Sequence, residues 1–193
     1  MLFSHQLTHA VKGEKTTLTE TPVTLPTDIQ LSGLHHVGLV VRDHDAAVHH
    51  YKALLGIKSF FTYDVPPMPH SLVYGKPTPF ELRVGYATLG NTLFELLQPL
   101  DQVSPQFHFL EEHGEGIHHL GFLVPSVDDY LAKIEGKGLH IITETGAPSM
   151  NVKTVYLGGD SLGGTVLELM QDGPALQDFF QQVFQAIGHK PLP

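Results

Sequence analysis

Residues 34–41 read LHHVGLVV, and residues 117–124 read IHHLGFLV. Each stretch sets a histidine pair before a glycine and an apolar run, and each is β-rich, so each predicts a largely buried strand. One such pair is unremarkable in a chain with 14 histidines. Its weight depends on what else returns with it.

A helix should follow the first strand. Asp43 can cap it, Ala47, Val48, Tyr51, Leu54 and Leu55 recur at helical spacing, and Gly56 supplies the stop. GIKSFFTYD then opens a second strand, and ELRVGYATLGNTLFELLQPL (81–100) reads as two antiparallel strands turning at Gly90-Asn91. Beyond the second histidine pair the programme repeats. Ser126 starts a helix with Asp129 three residues on, Gly138 ends it, and strands are expected near 139–143, 152–157 and 164–170. Both halves read βαβββ, an α+β class of two tandem modules, 33–103 and 104–172.

A stretch between Asp64 and Pro79, DVPPMPHSLVYGKPTP, interrupts the first module. Its proline density excludes helix or central strand, which leaves a long loop, either a lid or a surface connector. Residues 1–32 read as an N-terminal arm. Residues 173–193 read as an amphipathic helix and tail, with Leu176, Phe179, Phe180, Val183, Phe184 and Ile187 on one face, to cover a sheet face or pack across a dimer.

The last strands share a second coincidence: TLFELLQ (92–98) and TVLELMQ (165–171). A carboxylate inside an apolar strand is expensive, because an unpaired buried charge costs several kcal/mol. Meeting that cost twice, with Glu95 and Glu168 at equivalent points, asks for a reason. Two facing modules would bring two imidazoles and two carboxylates together, donors suited to Zn, Ni, Co, Mn or Fe(II). A divalent cation would offset both glutamates.

The segments HHVGLVVRDHDAAVHHYKALLG, LFELLQPL, GEGIHHLGF and GGTVLELMQ, in that order over about residues 33–171, resemble the vicinal oxygen chelate superfamily of glyoxalases, methylmalonyl-CoA epimerases and extradiol dioxygenases. Strand alternation sends one histidine of each pair inward without saying which. The resemblance selects His36, Glu95, His119 and Glu168 as metal ligands and leaves His35 and His118 on the opposite face. It implies curved mixed sheets around a divalent ion. It also implies an isomerase or lyase that moves a proton alpha to a chelated carbonyl through an enolate or enediolate, with Glu168 or Glu95 as the base.

The branches of the family conflict here. GEGIHHLGF and LLQPL look epimerase-like, but that branch usually has Gln where Glu95 stands and a separate acid about where Val84 stands. The Glu-Glu quartet looks like glyoxalase. Two alternatives remain: an Fe(II) ring-cleaving dioxygenase using His36, His119 and Glu168, which Glu95 counts against, and a ligand-sequestering protein of the bleomycin-resistance type. Arg83, Lys153 and Tyr156 are candidates to bind a substrate anion, a solvated strand face being the alternative.

Composition narrows the partners. Eleven Lys and Arg against 20 Asp and Glu give a net charge of -9, with no basic patch, so nucleic acid is not expected. The absence of Cys removes thiolate chemistry and thiolate metal sites. With no secretory or membrane-spanning pattern, the expectation is a cytoplasmic protein; the resemblance implies a small-molecule substrate with vicinal oxygens and, together with the apolar C-terminal face, a homodimer.

Overall fold

The computed structural model describes Leu31 and residues 33–188; apart from Leu31, the expected N-terminal arm lies outside them. The elements of the first half are β1 (His36–Val40), α1 (His44–Leu55), β2 (Phe61–Val65), β3 (His70–Val73), β4 (Lys76–Pro77), β5 (Leu82–Leu89) and β6 (Thr92–Pro99). After α2 (Pro105–His113) come β7 (Gly116–Val124), α3 (Val127–Ile134), β8 (His140–Ala147), β9 (Val152–Gly158), β10 (Val166–Gln171) and α4 (Pro174–Ile187).

Local chemistry starts both module helices as the spacing predicts. Asp43 accepts a hydrogen bond from the Ala46 amide at 2.9 Å, and Ser126 accepts one from the Asp129 amide at 3.1 Å. Gly56 closes α1 in the left-handed region at φ 68°. In the second half the helix ends at Ile134, short of the expected Gly138 stop, because Gly136 already turns the chain at φ 70°. The glutamine that returns with each glutamate has a structural role. Gln98 Oε1 accepts from the His44 amide at 3.1 Å and Gln171 Oε1 from the Val127 amide at 3.4 Å, so each last strand satisfies the first free N–H of its own module's helix.

All ten strands form one sheet in the order β2-β5-β6-β1-β7-β10-β9-β8-β3-β4. The halves meet antiparallel at β1 and β7, so each repeats the other's strand order outward from the middle. Within each half the first and last strands run parallel, β1 with β6 and β7 with β10. Convex-face cores form around Leu39, Val41, Phe94 and Leu96 under α1, and around Val127, Tyr130, Ile134 and Leu169 under α3. On the concave side, Phe180, Val183, Phe184 and Ile187 of α4 pack on Val40, Val84, Leu93 and Leu97, each fully buried side chain contributing roughly 1.5–3 kcal/mol. The predicted apolar face of this helix therefore covers a sheet face within its own chain.

The proline-rich stretch is not all loop. Its His70–Val73 segment pairs with β8, at the far end of the sheet from β2. Eight strand spacings separate β2 from β3, about 38 Å if the sheet were flat. The chain from Val65 to His70 can reach at most about 18 Å. The sheet must therefore curl into a trough, with Pro66–Pro69 strapped across its mouth. Proline tolerates this path because β3 and β4 sit at an edge. Helix α2, which apolar periodicity left unassigned, is signalled in the sequence by Ser104-Pro105: Ser104 accepts from the Phe107 amide at 3.2 Å, and proline occupies the first helical position. No helix among the described residues is long and apolar enough to cross a membrane.

Candidate metal centre

Two rows of residues cross the middle of the sheet. One runs Tyr86, Glu95, Gly38, His119 through β5, β6, β1 and β7; the other runs Tyr156, Glu168, Gly121, His36 through β9, β10, β7 and β1. In each row the glycine sits between glutamate and histidine. A Cβ on Gly38 would collide with Cε1 and both nitrogens of the His119 ring, and one on Gly121 with the same atoms of the His36 ring. The glycine two residues after each histidine thus makes room for the other module's imidazole, which leans across it toward the glutamate. This explains why HHxG returns as a unit.

The four donors converge. His36 Nε2 lies 2.7 Å from Glu168 Oε2 and 3.4 Å from Glu95 Oε2; His119 Nε2 lies 3.0 Å from Glu95 Oε2 and 3.3 Å from Glu168 Oε2. The two Nε2 atoms are 2.9 Å apart. All four side chains are buried, and their ligand atoms lie within 4.8 Å of one another. Both glutamate Oε2 atoms are buried against these nitrogens, yet none of the contacts has hydrogen-bond geometry. Hydrogen bonding does not account for such an arrangement, since an unsatisfied buried carboxylate oxygen is costly. An ion does: donor separations near 3 Å suit bonds of about 2.0–2.2 Å to a shared cation. The residues present fit a divalent metal.

His35 and His118 depart from expectation. His118 is the bulged residue of β7, where the register with β1 skips between Gly38/His119 and Leu39/Ile117, and His35 precedes the first residue of β1. Neither obeys strict alternation, so both lie beside the ligand rings instead of opposite them. His35 Nδ1 lies 3.0 Å from His36 Nδ1, and His118 Nδ1 lies 3.0 Å from His119 Nδ1. Each pair engages Nδ1 and leaves Nε2 facing the centre, the outer-shell arrangement that fixes a ligand's tautomer.

The electrostatics follow from burial and mutual contact. Burial opposes charge on His119, but Glu168 and then Glu95 outweigh it and lift its pKa to about 9. Burial likewise opposes charge on Glu168, whereas His119 and His36 pull its carboxyl well below the usual range. Burial, aided by the neighbouring ligand histidine, lowers His35 to about 4 and His118 to about 3. Burial and the glutamates raise Tyr86 and Tyr156, which stay neutral phenols.

Stability of the ion-free protein should therefore fall on both sides of neutrality. The His119 contribution is complete below the ordinary value of 6.5 and lost as pH rises through about 9. His35 and His118 remain neutral in the fold while the unfolded chain protonates near 6.5, so acid removes stability from that pH downward. Glu168 adds to the acid loss below 4.5. Thermal melts from pH 4 to 10 should show both limbs, and His118→Gln should flatten the acid one. An alkaline limb that is absent without metal would contradict the charge assignment to His119.

The centre opens on a cavity of about 350 Å³ inside the trough. Pro66 and Met68 of the strap, Leu176, Phe179 and Phe180 of α4, and Glu95 and Glu168 of the centre line it. Of the three candidate anion-binding residues, only Tyr156 is in the lining. Arg83 is turned to Asp64, with contacts of 2.7 and 3.1 Å, and Lys153 to Asp128 at 2.6 Å and Glu144 at 3.3 Å. Strand alternation places those two side chains in outward ion pairs. Gln106, fully buried and without a hydrogen-bond partner, was not singled out by spacing; its amide acts on the acidity of the Tyr156 hydroxyl without reaching bonding geometry.

Two βαβββ halves that share one sheet and converge two imidazoles and two carboxylates define a paired-module class of metal-site proteins. The chain belongs to the Glyoxalase/Bleomycin resistance protein/Dioxygenase superfamily, whose profile matches residues 35–156. It is 30% identical over 146 residues to the mitochondrial methylmalonyl-CoA epimerase of Bos taurus, covering 73% of this chain and 75% of that one. It is 29% identical over 145 residues to the ethylmalonyl-CoA/methylmalonyl-CoA epimerase of Cereibacter sphaeroides, covering 72% of this chain and 96% of that one. The fold is shared with methylmalonyl-CoA epimerase from Mycobacterium tuberculosis at a TM-score of 0.56 and 22% identity, over 81% of this chain and 98% of that chain.

Proposed function

We propose that the chain is a divalent-metal-dependent isomerase that moves a proton alpha to a carbonyl held by two vicinal oxygens; a lyase working through the same proton transfer is the variant of this reading. The observation that carries it is the convergence of two buried glutamate Oε2 atoms and two Nε2 atoms, without hydrogen-bond geometry between them, at the wall of a cavity. His36, Glu95, His119 and Glu168 would hold the ion. When bound, it supplies Lewis-acid polarisation of the carbonyl and stabilises the negative charge that develops as the C–H bond breaks.

The chain's own residues supply the proton transfer. Glu95 and Glu168 are the only carboxylates lining the cavity among the described residues, so the base is one of these two. They approach the centre from β6 and β10, on opposite sides of the β1–β7 seam. One can accept the proton from one face of the carbon and the other return it to the opposite face. The strap and α4 narrow the apolar surroundings of the exchange. The epimerase relatives support an isomerase. Glu95, 3.0 Å from His119, takes a position that the three-donor dioxygenase reading leaves open.

Elemental analysis, followed by deuterium exchange on a panel of α-keto hemithioacetals and acyl-CoA thioesters with the identified ion restored, tests this. The metal-loaded protein should wash deuterium into the alpha position, and Glu168→Gln or Glu95→Gln should slow the exchange by about 10²–10⁴-fold. Metal-loaded protein that exchanges nothing on the panel would overturn the isomerase reading.

A further inference from the structure

We propose that the part of the substrate seated in the cavity is a pair of neighbouring oxygens carried on a compact, uncharged apolar group, and that the site disfavours a carboxylate on that group. This rests on the metal-centre reading above and specifies the substrate class of the same site.

Charge balance is the first ground. Two carboxylates cancel one divalent cation, and neutral imidazoles add nothing, so the loaded centre has no net charge to offer an anionic substrate. The surrounding wall offers none either. Among the described residues no lysine or arginine lines the cavity, and Arg83 and Lys153 are committed to Asp64, Asp128 and Glu144 outside it. The remaining polar lining is neutral: hydroxyls of Ser71, Thr145, Thr154 and three tyrosines. Of the tyrosines, Tyr86 and Tyr156 stand directly across the strand pairs from Glu95 and Glu168.

Shape is the second ground. The space left for a tail is walled by Val65, Met68, Phe80, Leu82, Leu176 and Phe179. Its volume of about 350 Å³ lies near the small end of the range of about 300–1,000 Å³ for small-molecule sites. A carboxylate there would lose its hydration without gaining a counter-charge, and an alkyl or aryl group would lose nothing. The same apolar walls thus select against a charged tail.

Two matched probes test this. Hexanohydroxamic acid and adipic monohydroxamic acid share a chelating head and chain length and differ in a terminal methyl against a carboxylate. Calorimetric titration of zinc-loaded protein should give at least tenfold tighter binding of the methyl-ended probe. Met68→Lys, a change on the partly exposed strap, should narrow that ratio at least fivefold. Equal affinities, preference for the carboxylate, or no binding of either probe to zinc-loaded protein overturns the substrate assignment while leaving the metal centre intact. Failure to take up zinc, seen in the metal titration before any probe is added, overturns the metal-centre reading beneath it.

Discussion

Gly38→Ala and Gly121→Ala should each weaken divalent-ion binding at least about a hundredfold, although neither removes a donor atom. The added methyl would occupy the place of the His119 or His36 imidazole. The backbone cannot yield easily, because Gly38 is paired on both sides, with Glu95 in β6 and with His119 in β7, and Gly121 is paired with Glu168 and His36. The ring must therefore leave its rotamer, taking Nε2 out of reach of the shared centre. Overpacking of this kind costs about 1–3 kcal/mol, a fall in Tm of roughly 2–12 °C for a chain of this size, so the variants should fold. Competition with a chromophoric chelator measures the loss, and a melt confirms folding. A folded Gly38→Ala protein with undiminished ion affinity would refute the placement of His119 over that glycine.

Removing the imidazole itself should do more. His119→Ala should abolish tight ion binding and destabilise the ion-free protein by about 3–5 kcal/mol, because it leaves two buried carboxylates without their principal cation. The direction follows from the pKa of His119, lifted to about 9 by Glu168 and Glu95. Added zinc should raise the Tm of the wild type by mass action and leave that of the variant unchanged. Urea unfolding with and without zinc separates the two contributions. A variant as stable as the wild type when both are ion-free would mean that the centre carries no such charge.

Much of the centre could be read along the chain because the repeat marks equivalent points. HHxG and the glutamate of each terminal strand recur at the same place in each module, and equivalent positions in facing modules must meet. The helix starts at Asp43 and Ser126 were legible for a different reason: a cap is a contact between residues three apart, so it is written locally. The role of the glycines was visible in the motif but not interpretable, since it depends on which residue of the opposite strand faces each one. His118 was misplaced because a bulge breaks alternation, and no feature of its own segment announces it.

With the inward histidine of each pair left to the family resemblance, the sequence by itself determined the repeated βαβββ pattern, the helix starts at Asp43 and Ser126, the histidine pairs and strand glutamates that recur with it, and the apolar face of α4. All of these rest on periodicity, capping or repetition, which are properties of residues close in sequence or equivalent by duplication. Only the tertiary structure decided that the halves share one sheet, that Pro66–Pro69 crosses the mouth of the trough, that Arg83 and Lys153 turn outward, and that His35 and His118 lie against the ligands. Those outcomes depend on strand order, curvature and register, which are settled by packing between segments far apart in the chain, where no local pattern reaches.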